Sequence, residues 1–579
     1  MLQLITHIII ISVFCMLWGI PSFLICKKNH SGNEFWLRST AGELCFLFFS
    51  GLITLSFISS WLCLFVPLKF TYLILLTSVL IFFLLFKRKA IESLLTPGKL
   101  KFTTLDITFA VIVLLILIVA GSLKPANNDT QIYHVQIIRW INEYGTVPGL
   151  ANLFPRFGLG SNWFNLISFF KIPFFKYQNF TYLNVTAAIW VFFWLLNNWK
   201  FHSTIKNVIP ANRIMSHFYM LIILYCFFEW ELFRDAASST NYDFIVTTLS
   251  IAAISYLLEI LLHTIKNKGS SFVFIVICLS IITFKLSGAS IVVLLVFYLF
   301  IFNKIRYWNF ALLAGLLIIL PFLLKNFIIT GYPLYPGTIS FGNPDWQVPK
   351  AMTNYLRQYI QTVNRFYNSK NFDFTHVPEL MNKNWIKAWW NGILIQQKFI
   401  VIFSMSSVLM FFLKSKLNAD HKKIRTLFFL LLIMAAAWFF SAPSPRFGYG
   451  TLLVLAFFPI CFFVGNKISI AVQKPVIIFT IFISCWYLYK KSEPVLRNPE
   501  NLIHTVNLDQ PPLNKVYIKG MLFNLPEIIN TGWMRDCYNS DLPCIYQENK
   551  YLLPRGSSIK DGFKMDPHPD SIFIRNYIY

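Results

Sequence analysis

The chain has 579 residues, of which 56% are hydrophobic, 18% aromatic and 13% charged. Soluble globular chains carry about 25% charged and about 45–50% apolar residues, so this composition excludes a cytosolic enzyme, a disordered chain and a nucleic-acid binder. The formal net charge of +25 sits mostly in short segments between apolar runs, where basic residues set membrane orientation, and it reports topology, not substrate.

A helix needs about 20 apolar residues to cross a bilayer. Runs of this kind lie at 2–26, 41–66, 70–86, 105–123, 180–199, 213–230, 242–263, 271–284, 287–303, 308–330, 394–413, 426–440, 447–465 and 475–489. The sequence therefore predicts an all-α polytopic membrane protein of about 14 spans. The first run lacks a basic leading segment and a small-residue cleavage site, so it reads as a span and not as a signal peptide. The run 271–284 is short for a crossing, and either continues past Lys285 or forms a hairpin with 287–303.

If the spans alternate, the basic groups around Lys87–Lys101, Lys200–Arg213, Lys266/Lys268, Lys304/Arg306, Lys414–Arg425 and Lys467/Lys474 share one side. That side is the cytoplasm. The other side receives 124–179, 231–241, 331–393, 441–446 and 490–579, which include the long, mixed-charge, Trp- and Tyr-rich segments. No internal repeat of the kind common in transporters is visible.

The first outer segment, Asn127-Asn128-Asp129-Thr130-Gln131-Ile132-Tyr133-His134 followed by Val135 to Trp140, predicts an amphipathic helix lying along the membrane surface. Asp129 stands at its N-terminus, where it is either a simple cap or a chemical group. Asp243 opens a span, where the helix dipole alone favours an acid. Lys285 interrupts apolar sequence and is either a snorkelling lysine or a buried cation in search of an anion. Arg139, Arg156, Arg234, Lys325 and Arg446 are further outer cations, and Gly331-Tyr332-Pro333-Leu334-Tyr335-Pro336 marks a turn. The histidines show no metal-ligand spacing, and no Ser/His/Asp set, P-loop or GxGxxG is present.

Beyond the last span, from 490, the chain reads as a small exoplasmic α+β domain, with short strands at Val516-Tyr517-Ile518 and Leu552-Leu553-Pro554. Most of the 10 Cys lie in apolar runs and act there as small hydrophobes. Cys537 and Cys544 fall in the polar tail, where an oxidising compartment favours a disulfide.

Acids and cations gathered on one face of a helical bundle suit one chemistry. A carboxylate can take the proton of an acceptor hydroxyl, while Lys and Arg neutralise a phosphate leaving group. Asp129-x3-Tyr133, followed by Gly145-Thr146-Val147-Pro148, resembles the first-loop signature of GT-C superfamily glycosyltransferases, closest to the aminoarabinose and protein mannosyl transferase branch. That resemblance implies a GT-C-like bundle. It also implies inverting transfer of a sugar from a polyprenyl-phosphate donor to a lipid, glycan or protein acceptor on the outer face. Under it, Asp129 is the acceptor base and Asp243 the second acidic group. Lys285 and an arginine among Arg139, Arg156, Arg234 and Arg446 clamp the phosphate, with Tyr133, His134 and Tyr335 as further substrate contacts. The chain departs from the pattern at Thr130, where an acidic residue often stands, and at Phe154-Pro155-Arg156-Phe157, which replaces a Lys-Pro-Pro run.

The resemblance covers 105–489, leaving 1–104 as extra N-terminal spans and 490–579 as the exoplasmic domain. No cofactor is assigned, and a divalent metal is left open. Asn128-Asp129-Thr130 is a glycosylation sequon overlapping the expected base, and a glycan there would obstruct it. This favours a bacterial inner membrane, with the bilayer and a lipid-linked donor as partners and no nucleic acid. An envelope-polysaccharide polymerase or ligase, a transporter and a non-catalytic scaffold are the alternatives.

Overall fold

The computed structural model describes residues 1–28, 39–87, 102–175, 180–204, 210–229, 232, 236–262, 271–302, 305–366, 377–381, 383–413, 419–465, 467–508, 510–527 and 536–578. Among these, ten helices are long and apolar enough to cross a membrane, from Leu2–Cys26 to Ile470–Arg497. Shorter apolar helices at Phe70–Phe86, Ser271–Phe284 and Leu286–Ile301 fall on further expected spans. The remaining run forms the helix Tyr182–Thr204, which is less apolar and buried along most of its length. Its polar groups face protein: Asn184 accepts from Trp163 Nε1 at 2.7 Å and donates to the Asn241 carbonyl at 2.7 Å. An inner helix surrounded by other helices can carry such residues at membrane depth because each finds a partner.

Around Lys285 the chain chooses reversal. The Ser271–Phe284 helix stops, Lys285 adopts an extended backbone, and a 3-10 turn over Leu286–Ile291 leads into Val292–Phe302. Gly288 folds back so closely on Ile281 that a Cβ there would lie 2.7 Å from the Ile281 side chain.

The segments assigned outside pack together at one end. Ala126 N–H donates to the Ser238 carbonyl at 2.9 Å, Gly149 N–H to Ile328 at 2.8 Å, and Val506 N–H to Ser122 at 3.0 Å. The other end holds its own buried polar contacts, including Lys200–Asp106 at 2.6 Å and His202–Glu259 at 3.1 Å.

The first two helices cross where small residues meet. A Cβ on Gly51 would sit 1.7 Å from the Cys15 carbonyl oxygen, and one on Gly19 would sit 2.0 Å from that of Leu47. Small residues allow such backbone approach between membrane helices. Gly51→Ala must push the pair apart, at the about 1–3 kcal/mol typical of overpacking, and should lower the thermal midpoint in detergent. Gly315→Ala, with nothing within 4 Å of its Cβ, is the matched control and should leave the midpoint unchanged or raise it.

The tail is small and mixed, as expected from its composition. Strands β1 (Leu513–Ile518) and β2 (Met521–Pro526) form an antiparallel hairpin. Its two-residue turn places Lys519 at φ 48° and Gly520 at φ 86°, the positive-φ pair that tight hairpins demand. Strands β3 (Leu552–Pro554) and β4 (Phe563–Met565) form a second pair. Cys537 and Cys544 are disulfide-bonded, with S–S 2.08 Å.

One expectation is corrected. The first outer helix does not lie exposed on a surface: Val135, Gln136, Ile138 and Trp140 are each 0% exposed. Its polar face is covered by the tail, since Gln136 donates to the Tyr538 and Ser540 carbonyls at 3.0 Å each. The alternation of polar and apolar residues reflected two protein partners, not lipid and water.

Candidate functional site

Asp129 and Asp243 are presented by matching local devices. In each, an Asn two residues earlier does the capping: Asn127 Oδ1 accepts from Asp129 N–H at 2.8 Å, and Asn241 Oδ1 from Asp243 N–H at 2.9 Å. The two Asn-x-Asp turns lie side by side, with Thr130 Oγ1 accepting from Thr240 N–H at 3.1 Å. Neither aspartate spends its carboxylate on its own helix, so the capping explanation for Asp129 gives way. A π-helical turn follows at Thr130–His134, a local widening of the helix often found at functional sites.

The carboxylates face cations brought from distant spans. Lys285 Nζ donates to Asp243 Oδ1. Arg446, next to Pro445 at the start of its helix, sets Nε 3.5 Å from Asp243 Oδ2 and Nη2 3.7 Å from Asp129 Oδ2. Phe447 separates the two cations, its ring centroid 3.3 Å from Lys285 Nζ and 4.9 Å from the Arg446 guanidinium carbon. Burial pushes the Asp129 carboxyl up, but the cations Arg446, Arg156 and Lys285 together hold it below the usual carboxylate range. It is therefore ionised at neutral pH. A small recess opens here, lined by Asn241, Asp243, Arg446 and Tyr449 with Leu232, Ala236, Phe244 and Thr247.

His134 is fully packed behind the site, where Nδ1 meets Thr240 Oγ1 at 2.9 Å and Phe164 and Tyr242 flank the ring. Burial lowers its pKa to about 4, so it is neutral and positions the turn. Tyr335 also holds structure: its hydroxyl donates to the Pro155 carbonyl at 3.1 Å, fixing the turn that carries Arg156. Arg139 is occupied elsewhere, pairing with Glu143 and Asp541 at 2.9 Å each and donating to the Asn539 and Ser540 carbonyls at 2.6 Å. It anchors the disulfide loop, so it is withdrawn from the phosphate contacts. Arg234 lies outside the described residues.

Arg156 stands near the same site, buried and electrostatically coupled to Asp129. Its guanidinium is ringed by Tyr359 at 5.3 Å, Phe154 at 5.7 Å and Tyr133 at 6.0 Å, and Nη2 donates to Tyr359 Oη at 3.0 Å. Tyr546 of the tail stacks on Phe154 at 4.0 Å and donates its hydroxyl to the Ile132 carbonyl.

Among the described residues, no group of three or more His, Cys, Asp and Glu is arranged to hold a metal ion. The two site carboxylates face Arg446 and Lys285.

Helices of this length and apolarity, with their outer loops joined at one end, define an α-helical multi-pass membrane protein in contact with the lipid bilayer. The chain belongs to the DUF8201 family, described as a domain of unknown function, whose model matches residues 1–453. The match runs through residue 104 without a break and takes in all four site residues Asp129, Asp243, Lys285 and Arg446. No curated protein and no solved structure matches the chain.

Proposed function

We propose that this protein transfers a sugar from a polyprenyl-phosphate-linked donor to an acceptor hydroxyl on the outer face of a bacterial inner membrane, in envelope glycan biosynthesis. The observation that carries this reading is the charge arrangement: Arg446 lies between Asp129 and Asp243, and Lys285 pairs with Asp243. Asp129, ionised and half-buried, takes the proton of the acceptor hydroxyl as its oxygen attacks the anomeric carbon from the face opposite the phosphate. The bond from that carbon to the phosphate oxygen breaks, and the polyprenyl phosphate leaves with its charge met by Lys285 and Arg446. Preorganised cations at the point where charge develops are typically the largest single contribution to such catalysis.

The membrane setting supports a lipid-borne donor. Asp243, Lys285 and Arg446 all stand at the ends of apolar helices. A small apolar crevice between spans is lined by residues such as Phe46, Trp194, Leu249 and Ile277, the last two on the helices that begin at Asp243 and end before Lys285. The bundle is accordingly read as GT-C-like with about 14 crossings. Glycan profiling of cells with and without the protein tests the proposal. Loss of a defined sugar substituent, with accumulation of its polyprenyl-phosphate donor, is the expected result. Unchanged envelope glycans and lipid-linked sugar pools would overturn it.

A further inference from the structure

We infer that Arg156 and the aromatic rings around it form a separate oxyanion site, which receives a carboxylate or phosphate group borne by the acceptor. The word acceptor rests on the sugar-transfer reading above; the oxyanion site does not. Arg156 is 8% exposed, and a guanidinium cannot shed its proton to escape burial. A charge taken out of water is costly unless it is paired. Yet among the described residues no carboxylate forms an ion pair with Arg156, and its one protein hydrogen bond goes to the neutral hydroxyl of Tyr359. Asp129 acts on it only through space. Cation–π contact with Tyr133, Phe154 and Tyr359 offsets part of the burial but leaves most of the planar N–H fork unused. Such a fork matches a carboxylate or phosphate in two parallel hydrogen bonds.

The elements that build the site say which substrate it meets. Arg156 sits in the 3-10 turn Pro155–Gly158, Tyr359 on the outer helix Lys350–Phe366, and Tyr133 on the π-turn. Tyr546 comes from the tail. None of these is a span, whereas Lys285 and Arg446 stand at span ends. A group anchored in the bilayer reaches the second pair, and a group arriving from the aqueous side meets Arg156. Asp129 feels both, which places the base between donor and acceptor. Asp536 also bears on the site: its carboxyl, pushed up to about 6 by burial, is held down partly by Arg156.

The test uses the full-length protein in lipid nanodiscs, with sodium glucuronate and inorganic phosphate as probes in separate titrations by calorimetry. At least one should bind, at least tenfold more weakly to Arg156→Gln, and within twofold of wild type to Arg497→Gln, which alters an exposed cation paired with Glu493. Preference for glucuronate assigns a carboxylate and preference for phosphate a phosphate. Because Arg156→Gln can fail to fold, arginine-selective labelling by phenylglyoxal is also followed on the wild type. The bound probe should slow modification of the Arg156 peptide and not that of the exposed Arg497. Failure of both probes to bind, equal affinity in Arg156→Gln, or protection of the Arg446 peptide without protection of the Arg156 peptide would overturn the inference. A parallel titration with undecaprenyl phosphate separates the two readings. Donor-lipid binding without oxyanion binding sinks only the Arg156 site, and oxyanion binding without donor-lipid binding sinks only the sugar-transfer proposal.

Discussion

Asp129→Asn should reduce sugar transfer by about 10²–10⁴-fold, the usual share of general acid–base catalysis, while expression and thermal midpoint stay at wild-type values. The amide keeps the size of the side chain but takes no proton. Its loss of charge releases Arg446 from one of two carboxylates, the farther one at 3.7 Å, so the structural consequence is small. Asp129→Ala should behave in the same way, because Asn127, not Asp129, accepts the N-terminal N–H and no cap of about 1 kcal/mol is lost. Asn127→Ala is the substitution that removes the cap. The pH profile adds an independent reading. A base must be ionised, and the surrounding cations hold Asp129 below the ordinary carboxylate range. The acid limb of the transfer rate should therefore fall at a pH below that of a free aspartate, and should disappear in Asp129→Asn. A mutant that transfers at the normal rate removes Asp129 from the chemistry.

Much of the bundle was legible because hydropathy and length are direct statements about the bilayer. Each apolar run carries a helix. The Tyr182–Thr204 helix was harder, since Asn184 and its neighbours lower its hydropathy for a reason only packing supplies. Asp129 on the first outer segment, and Asp243, Lys285 and Arg446 at span ends, stood out as ionisable groups, and all four meet in space. What the sequence held but did not announce is the repeated Asn-x-Asp spacing at 127–129 and 241–243, the signal for two carboxylates freed by a neighbouring cap. Arg139 could not be read locally. Its helix is amphipathic on any inspection, and the carbonyls that claim it lie about 400 residues away in the tail. Tyr335 and His134 were likewise drawn in by chemical type, and their partners at Pro155 and Thr240 are visible only in three dimensions.

Lys285 separates a clamp from a brace. Its side chain does not snorkel toward water; it turns onto Asp243, with 16% and 9% of the two side chains exposed. Removing one member of a buried pair strands the other and costs about 3–5 kcal/mol, whereas removing both is often close to neutral. Lys285→Met and Asp243→Asn should each lower the thermal midpoint, and the double variant should recover most of the loss. Donor binding should follow a different pattern. If Lys285 meets the phosphate, affinity for undecaprenyl phosphate falls about tenfold or more in Lys285→Met, as expected for a lost charge-assisted hydrogen bond, and remains low in the double variant. Asp243→Asn alone frees Lys285 and Arg446 from a competing carboxylate, so it should bind the bare phosphate at least as tightly as wild type. If the pair is only a brace between the Asp243–Leu261 helix and the turn after Phe284, affinity tracks stability and returns with it. Recovery of donor affinity in the double variant would therefore take Lys285 out of the phosphate clamp and leave Arg446 to neutralise the leaving group alone.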